Sequence, residues 1–124
     1  MGYNPTKCME LGRWGEDLVA RLYRGVVVEQ NEEDHNRPPD VVTADAAIEV
    51  KTLRAGAVPR TYMAPSARRA KIYWARRRGL HGLTVLVLLG DTWAEVWEGP
   101  GFKSYQAGIG KCRLRARLSV WNPS

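Results

Sequence analysis

Two acids and a lysine in the first half of the chain have the types and spacing of a hydrolytic site. Asp40 follows a proline, and after eight further residues the sequence continues Glu49-Val50-Lys51. Side chains two apart on an extended strand share a face, so Glu49 and Lys51 should project together while Val50 points into the core. A tight hairpin between the two segments could bring the Asp40 carboxylate beside that of Glu49.

These groups have the chemistry of a magnesium site. Two carboxylates and a strand carbonyl, such as that of Val50, are hard oxygen ligands suited to Mg²⁺ or Mn²⁺, and two histidines are too few to indicate zinc. Lys51 could orient or deprotonate the attacking water, or neutralise charge in a phosphorane-like transition state. Because the chain has eight Glu and five Lys, a chance Glu-x-Lys is common, and the prediction depends on the surrounding strands.

The elements that must position these residues follow from hydrophobic periodicity. A helix is predicted over residues 7–23, a strand over 26–30, a polar loop over 31–39, and short strands over 41–43 and 47–52. A second helix should begin at Pro65 and end near Arg78, before Gly79. Strands are expected over 83–89, which should be central because it is continuously apolar, then over 92–97 and 111–120. The 124 residues therefore predict a single α/β domain with a mixed sheet.

For some positions within these elements the sequence predicts the burial or contacts of single residues. Gly12 and Gly15 lie on or beside the apolar face of the first helix, which favours a close approach to the sheet. Ile72 stands among basic residues of the second helix and hints at a dimer contact. The last strand alternates apolar and basic residues, so Leu114 should point inward and the arginines outward. The predicted apolar stripe of the second helix is Ala67, Ala70, Tyr73 and Trp74.

Positive charge is concentrated in the middle of the chain. The protein has 19 Lys and Arg against 13 Asp and Glu, yet residues 51–90 contain no acid at all. Such a segment attracts polyanions, since each cation that meets a phosphate releases a condensed counterion, although a well-solvated basic surface has the same composition. The candidate phosphate contacts in this segment are Arg54, Arg60, Arg68, Arg69, Lys71 and Arg76.

Several classes of protein are disfavoured by the sequence. The longest apolar run, residues 83–89, is too short to span a membrane, and the first residues lack the pattern of a secretory signal. Two distant cysteines give no disulfide or zinc framework and fit a reducing, cytoplasmic setting. No glycine pattern for a nucleotide is present, so no small-molecule cofactor is expected.

Around the acidic pair the sequence resembles the PD-(D/E)xK nuclease superfamily, and within it the archaeal-type Holliday junction resolvases, including versions carried by phages. The resemblance covers about residues 9–97. It implies a restriction-endonuclease-like mixed sheet flanked by helices. It also implies a Mg²⁺-dependent endonuclease that acts as a homodimer on four-way DNA junctions. The matching stretches are Gly15-Glu16-Asp17-Leu18-Val19, Pro39-Asp40-Val41-Val42, Ile48-Glu49-Val50-Lys51 and residues 68–89.

Carried onto this sequence, the resemblance implies that Asp40, Glu49 and the Val50 carbonyl bind metal and that Lys51 serves the water or the leaving group. Glu16 would complete the site as a further metal ligand. Glu16 also lies about 120° from the apolar centre of its helix, at the flank, although a solvated helix carboxylate would have the same position. The hairpin between the acids is shorter than relatives usually show. The preceding loop is acidic, with Arg37 as its only basic group, which leaves its contact with DNA open.

Two other functions fit the same residues. One is another nuclease of the superfamily, acting as a restriction-like, repair or RNA-cutting enzyme. The other is a nucleic-acid-binding module without catalysis, in which Asp40 and Glu49 are surface charges. Mg²⁺-dependent cutting separates the second from the first, because binding alone would be salt-sensitive and need no metal.

Overall fold

A six-stranded mixed sheet with two helices forms the frame of the protein. The computed structural model describes residues 8–29 and 38–120, with the backbone alone for Cys8 and Met9. The predicted α/β class with a mixed sheet is confirmed. Within the described ranges, neither helix is long and apolar enough to cross a membrane. The elements are α1 (Cys8–Tyr23), β1 (Val26–Val27), β2 (Val41–Val42), β3 (Ala46–Arg54), α2 (Pro65–Arg77), β4 (His81–Leu89), β5 (Trp93–Pro100) and β6 (Arg113–Ser119).

The strands lie in the sheet in the order of the sequence, from β1 to β6. β3 and β4 run parallel, from Ala46 opposite His81 to Arg54 opposite Leu89, and α2 makes the crossover between them. The other neighbouring strands pair antiparallel. Residues 84–89 of β4 are all buried, which confirms the prediction of a central strand.

Each face of the sheet packs against one helix. Ile48 belongs to a cluster with Val19 of α1, whereas the adjacent Ala47 belongs to a cluster with Ala75 of α2 and Phe102. Because neighbouring residues on a strand point to opposite faces, α1 and α2 lie on opposite sides of β3. Glu49 and Lys51 share the α2 face with Ala47.

Gly15 brings α1 into direct contact with β3. A Cβ atom at Gly15 would lie only 1.7 Å from Thr52 Oγ1, so no larger residue fits without moving the helix or Thr52. At Gly12, by contrast, a Cβ would meet nothing within 4 Å. The predicted close approach is therefore correct for Gly15 and wrong for Gly12.

The buried stripe of α2 differs from the prediction. Lys71 and Ala75 are its buried residues, Ile72 packs against the α2-side cluster, and Tyr73 is 62 % exposed. The place of Tyr73 in the stripe is therefore wrong. Ile72 is partly buried within the chain, and its contact with a second copy stays a prediction. Relative to the prediction, the helix is rotated so that Lys71, predicted to contact phosphates, has its ammonium inside the protein.

A bulge in β6 breaks the predicted alternation. Val96 pairs with Ala116, but the next residue of β5, Trp97, pairs with Leu114, which leaves Arg115 as an extra residue. One added residue moves the preceding side chains to the other face of the strand. Leu114 is consequently 48 % exposed, so the prediction that it points inward is wrong.

Candidate active site

The β2–β3 hairpin holds Asp40 against the backbone of β3. Val41 lies opposite Ile48, and the Asp40 N–H donates to the Ile48 carbonyl at 3.0 Å. The Val50 N–H donates to Asp40 Oδ2 at 2.8 Å, so the carboxylate itself takes the place of a strand partner. In the hairpin turn, Thr43 Oγ1 accepts a hydrogen bond from the Ala46 N–H at 2.9 Å. The backbone of β3 thus holds Asp40 at both its amide and its carboxylate.

Glu49 lies beside Asp40 in a site that is largely shielded from water. Its side chain is 25 % exposed, and its carboxyl is in hydrogen-bond contact with that of Asp40. Burial, and secondly the negative charge of Asp40, raise the pKa of Glu49 from 4.5 to about 8, against the opposing effect of Lys71. Near neutral pH, therefore, this carboxyl holds a proton that a cation could displace.

Glu16 approaches the same pair from α1. The contact of Gly15 with Thr52 sets the height of this helix over β3 and so the position of the next residue, Glu16. Burial, followed by the charge of Asp40, raises the pKa of Glu16 from 4.5 to about 7, although Arg13 acts in the opposite direction. The structure thus places Glu16 within electrostatic reach of Asp40.

Lys51 and Lys71 occupy different environments on the α2 face of β3. Lys51 is exposed and lies two residues beyond Glu49. Lys71, predicted to contact phosphates, has a side chain only 10 % exposed, with its Nζ 3.2 Å from Glu49 Oε1. Its Nζ also donates to the Pro38 carbonyl at 3.3 Å.

Sequence reasoning missed Lys71 as a residue of the site. A lysine between arginines on a helix is usually solvated, and nothing in the local pattern distinguishes Lys71 from Arg69. The available signal was indirect: Glu49 follows buried residues on β3, and a carboxylate placed there needs a nearby cation. Which of the basic residues supplies it depends on the rotation of α2.

The oxygen donors lie at a partly open edge of the sheet. β2 pairs with Ala47 and Ile48, and the described strands leave this side of β3 uncovered beyond them. The Val50 N–H points to this edge, toward Asp40, and the carbonyl of the same strand residue points the same way. Asp40, Glu49 and the Val50 carbonyl can therefore present oxygen to one ligand.

These donors fit a hydrated magnesium ion better than an ion enclosed by protein. Among residues 8–29 and 38–120, no three Asp, Glu, His or Cys side chains are grouped so that they could hold a metal together. Mg²⁺, however, commonly keeps several waters and binds one or two carboxylates together with substrate phosphate. The crowding of partly buried carboxyls, seen in the raised pKa of Glu49, is what a divalent cation would relieve.

Besides Lys71, the predicted phosphate contacts are arginines, which fall into three groups. Arg60, Arg69 and Arg76 are exposed, so their guanidinium groups can meet a polyanion. Arg68 is exposed but its Nε donates to the Phe102 carbonyl at 2.7 Å, and Arg54 has a buried terminal nitrogen. Arg37 lies outside the described residues.

Comparisons with known proteins found no match for this chain. No family model, no curated protein and no solved structure matches the chain. The chemistry open to the site is set by its own groups, which are oxygen donors for a hard cation, a buried lysine, an exposed lysine and a nearby basic helix.

Proposed function

We propose that the protein is a metal-dependent endonuclease that nicks DNA, with four-way junctions as its substrate. The observation that carries the proposal is the Val50 N–H bond to Asp40, which fixes this carboxylate beside Glu49 at an open sheet edge. The succession α1, hairpin, β3, α2, β4 is compatible with the restriction-endonuclease-like sheet that the resemblance implies. The acid-free segment 51–90 supplies positive charge next to the carboxylates.

In this proposal the residues of the site have separate roles. Asp40, Glu49 and the Val50 carbonyl would hold a divalent cation, Mg²⁺ or Mn²⁺, which supplies Lewis-acid stabilisation of charge on the scissile phosphate. Lys51, exposed on the same face as Glu49, would orient the attacking water or donate a proton to the leaving oxygen. Glu16 would add negative charge on the α1 side and draw the cation toward Asp40.

Binding of branched DNA would depend on the exposed basic residues. Arg69 and Arg76 lie on α2, which also supplies Lys71 to the site, so phosphates held by this helix would run past the carboxylates. Such contacts position the backbone without reading the sequence of the bases. A homodimer with two-fold symmetry would present two identical sites, matching the two nicks that a four-way junction requires.

The direct test is nicking of a synthetic four-way junction in Mg²⁺ and in EDTA. Asp40→Asn, Glu49→Gln and Lys51→Met should each reduce the cutting rate by about 10²-fold or more, in line with the loss of one group that stabilises a transition state. Asp91→Asn and Lys103→Met remove a matched charge from exposed positions and should cut at the wild-type rate. If Asp40→Asn and Glu49→Gln also cut at that rate, the proposed site is wrong.

The same assay separates the other functions. Linear duplex, flap and RNA substrates, run beside the junction, show which nucleic acid is cut fastest and would identify another nuclease of the superfamily. Junction binding that weakens with salt, without Mg²⁺-dependent cutting of any substrate, would instead assign a non-catalytic nucleic-acid-binding module.

A further inference from the structure

Lys71 places a positive charge against the cluster of two carboxyls formed by Asp40 and Glu49. Its Nζ is 3.2 Å from Glu49 Oε1, and the residue is 8 % exposed. Glu49 Oε1 is itself excluded from solvent and accepts no aligned hydrogen bond from the described residues, so its contact with Lys71 is that of an ion pair. Lysine is almost never buried to this degree unless it is paired. The ammonium is therefore a fixed component of the cluster.

The same ammonium is tied to both segments that carry the proposed metal ligands. It contacts Glu49 on β3, and it donates to the carbonyl of Pro38, two residues before Asp40. Glu49 in turn contacts Asp40 and Lys71 at once. The Glu49 carboxyl thus lies between the ammonium of Lys71 and the carboxylate of Asp40.

In enzymes with two metal ions, the ions lie about 3.5–4 Å apart and act together on one phosphate. A second ion in this protein would need the buried oxygen of Glu49, where the Lys71 ammonium already lies.

We infer that Lys71 takes the place of a second metal ion and limits the site to one divalent cation per chain. The inference rests on the proposed function, since it concerns the cation that function requires. Lys71 is in this sense a positioning residue, because it acts through Glu49. It differs from Lys51, which is exposed and free to meet the substrate.

The test is the number of Mn²⁺ ions bound by the full chain without DNA, measured by isothermal titration calorimetry and electron paramagnetic resonance. The wild type should bind one Mn²⁺ per chain and show no Mn²⁺–Mn²⁺ coupling. Lys71→Met keeps the length of the side chain but removes its charge, and should bind a second Mn²⁺ close enough for coupling. Lys71→Arg restores the charge and should return the count to one, while the exposed control Lys103→Met should not change it.

Each result decides the inference. Two coupled Mn²⁺ in the wild type, a single Mn²⁺ in Lys71→Met, or no Mn²⁺ bound to the wild type at millimolar concentration would overturn it. If Lys71→Met does not fold, Lys71→Gln replaces it, and the wild-type count is decisive against the inference whenever it differs from one.

The count also separates this inference from the proposed function. A chain that binds one Mn²⁺ yet cuts no nucleic acid would refute the nuclease proposal and leave the role of Lys71 intact. A chain that cuts junctions with two coupled ions would do the reverse.

Discussion

Protons and metal ions should compete for Glu49, and pH is the perturbation that reveals it. The pKa of Glu49 is raised to about 8 by burial and by the charge of Asp40. A ligand carboxylate must be ionised, so metal binding releases its proton. At pH 6 only about 1 % of this carboxyl is ionised, against about half at pH 8. The apparent affinity for Mg²⁺ should therefore rise about 50-fold over this interval, equivalent to about 2 kcal/mol of binding free energy.

Calorimetric titration of Mg²⁺ at pH 6, 7 and 8 measures this change directly. Repeating the titration at pH 7 in buffers of different ionisation enthalpy counts the protons released, and about one proton per Mg²⁺ is expected. Glu49→Gln removes this titrating group and should lose most of the pH dependence and of the proton release, with the remainder due to Glu16, whose pKa is about 7. Equal affinity at pH 6 and pH 8 in the wild type would refute the reasoning, because it would mean that Glu49 is ionised throughout or is not a ligand.

The raised pKa of Glu49 also makes the stability of the metal-free protein depend on pH. The pKa of Glu49 is about 8 in the folded protein and near its ordinary value of 4.5 in the unfolded chain, so the folded state retains a proton that the unfolded state has lost. The resulting stabilisation is complete below pH 4.5 and is lost as the pH rises through 8. In EDTA the melting temperature should fall over this interval, and Mg²⁺ should restore most of it at pH 8. A melting temperature that rises from pH 5 to pH 8 in EDTA would contradict this assignment.

Two further predictions concern the frame of the site and its basic surface. Gly15→Ala should lower the free energy of unfolding by about 1–3 kcal/mol, since the new Cβ overlaps Thr52, and Thr52→Ala in the same chain should recover part of that loss. Gly12→Ala, where the new Cβ meets nothing, should instead leave the free energy of unfolding unchanged or raise it. Equal effects of the two substitutions in denaturant titrations would contradict the α1–β3 contact. Arg69→Ala and Arg76→Ala should each weaken junction binding and reduce the slope of log affinity against log salt by about one, and an unchanged slope would show that these arginines do not meet phosphate.

The pairing of Asp40 with Glu49 could be predicted because it is local. The two residues belong to one hairpin, and alternation along a strand together with a tight turn determines which side chains are neighbours. The central position of β4 was equally accessible, since a continuously apolar strand must be covered on both faces. Both inferences need only the chain within a few residues of the position in question.

The wrong predictions on α2 and β6 concern which side chains of each element face the core. The pattern assigned Tyr73 to the core and Lys71 to phosphate contacts, but in the structure Tyr73 is exposed and Lys71 is buried against Glu49. In β6 the extra residue Arg115 moves Leu114 to the opposite face, and no turn residue or break in the alternation marks that bulge. A local pattern of polar and apolar residues reports how often each residue type is buried on average. It carries no information about a specific contact with a residue far away in the chain.

The sequence by itself determined the class of the fold, the hairpin that joins two acids, and the positive charge that follows it. The tertiary structure decided how α1 carries Glu16, which the family resemblance had placed at the site, toward Asp40, and it alone decided that α2 turns Lys71 inward to Glu49. Those contacts join segments far apart in the chain, and their geometry depends on how closely each helix can approach the sheet. For α1 that distance is set by the missing side chain of Gly15 against Thr52, and α2 is turned so that the buried ammonium of Lys71 lies beside the carboxylate of Glu49.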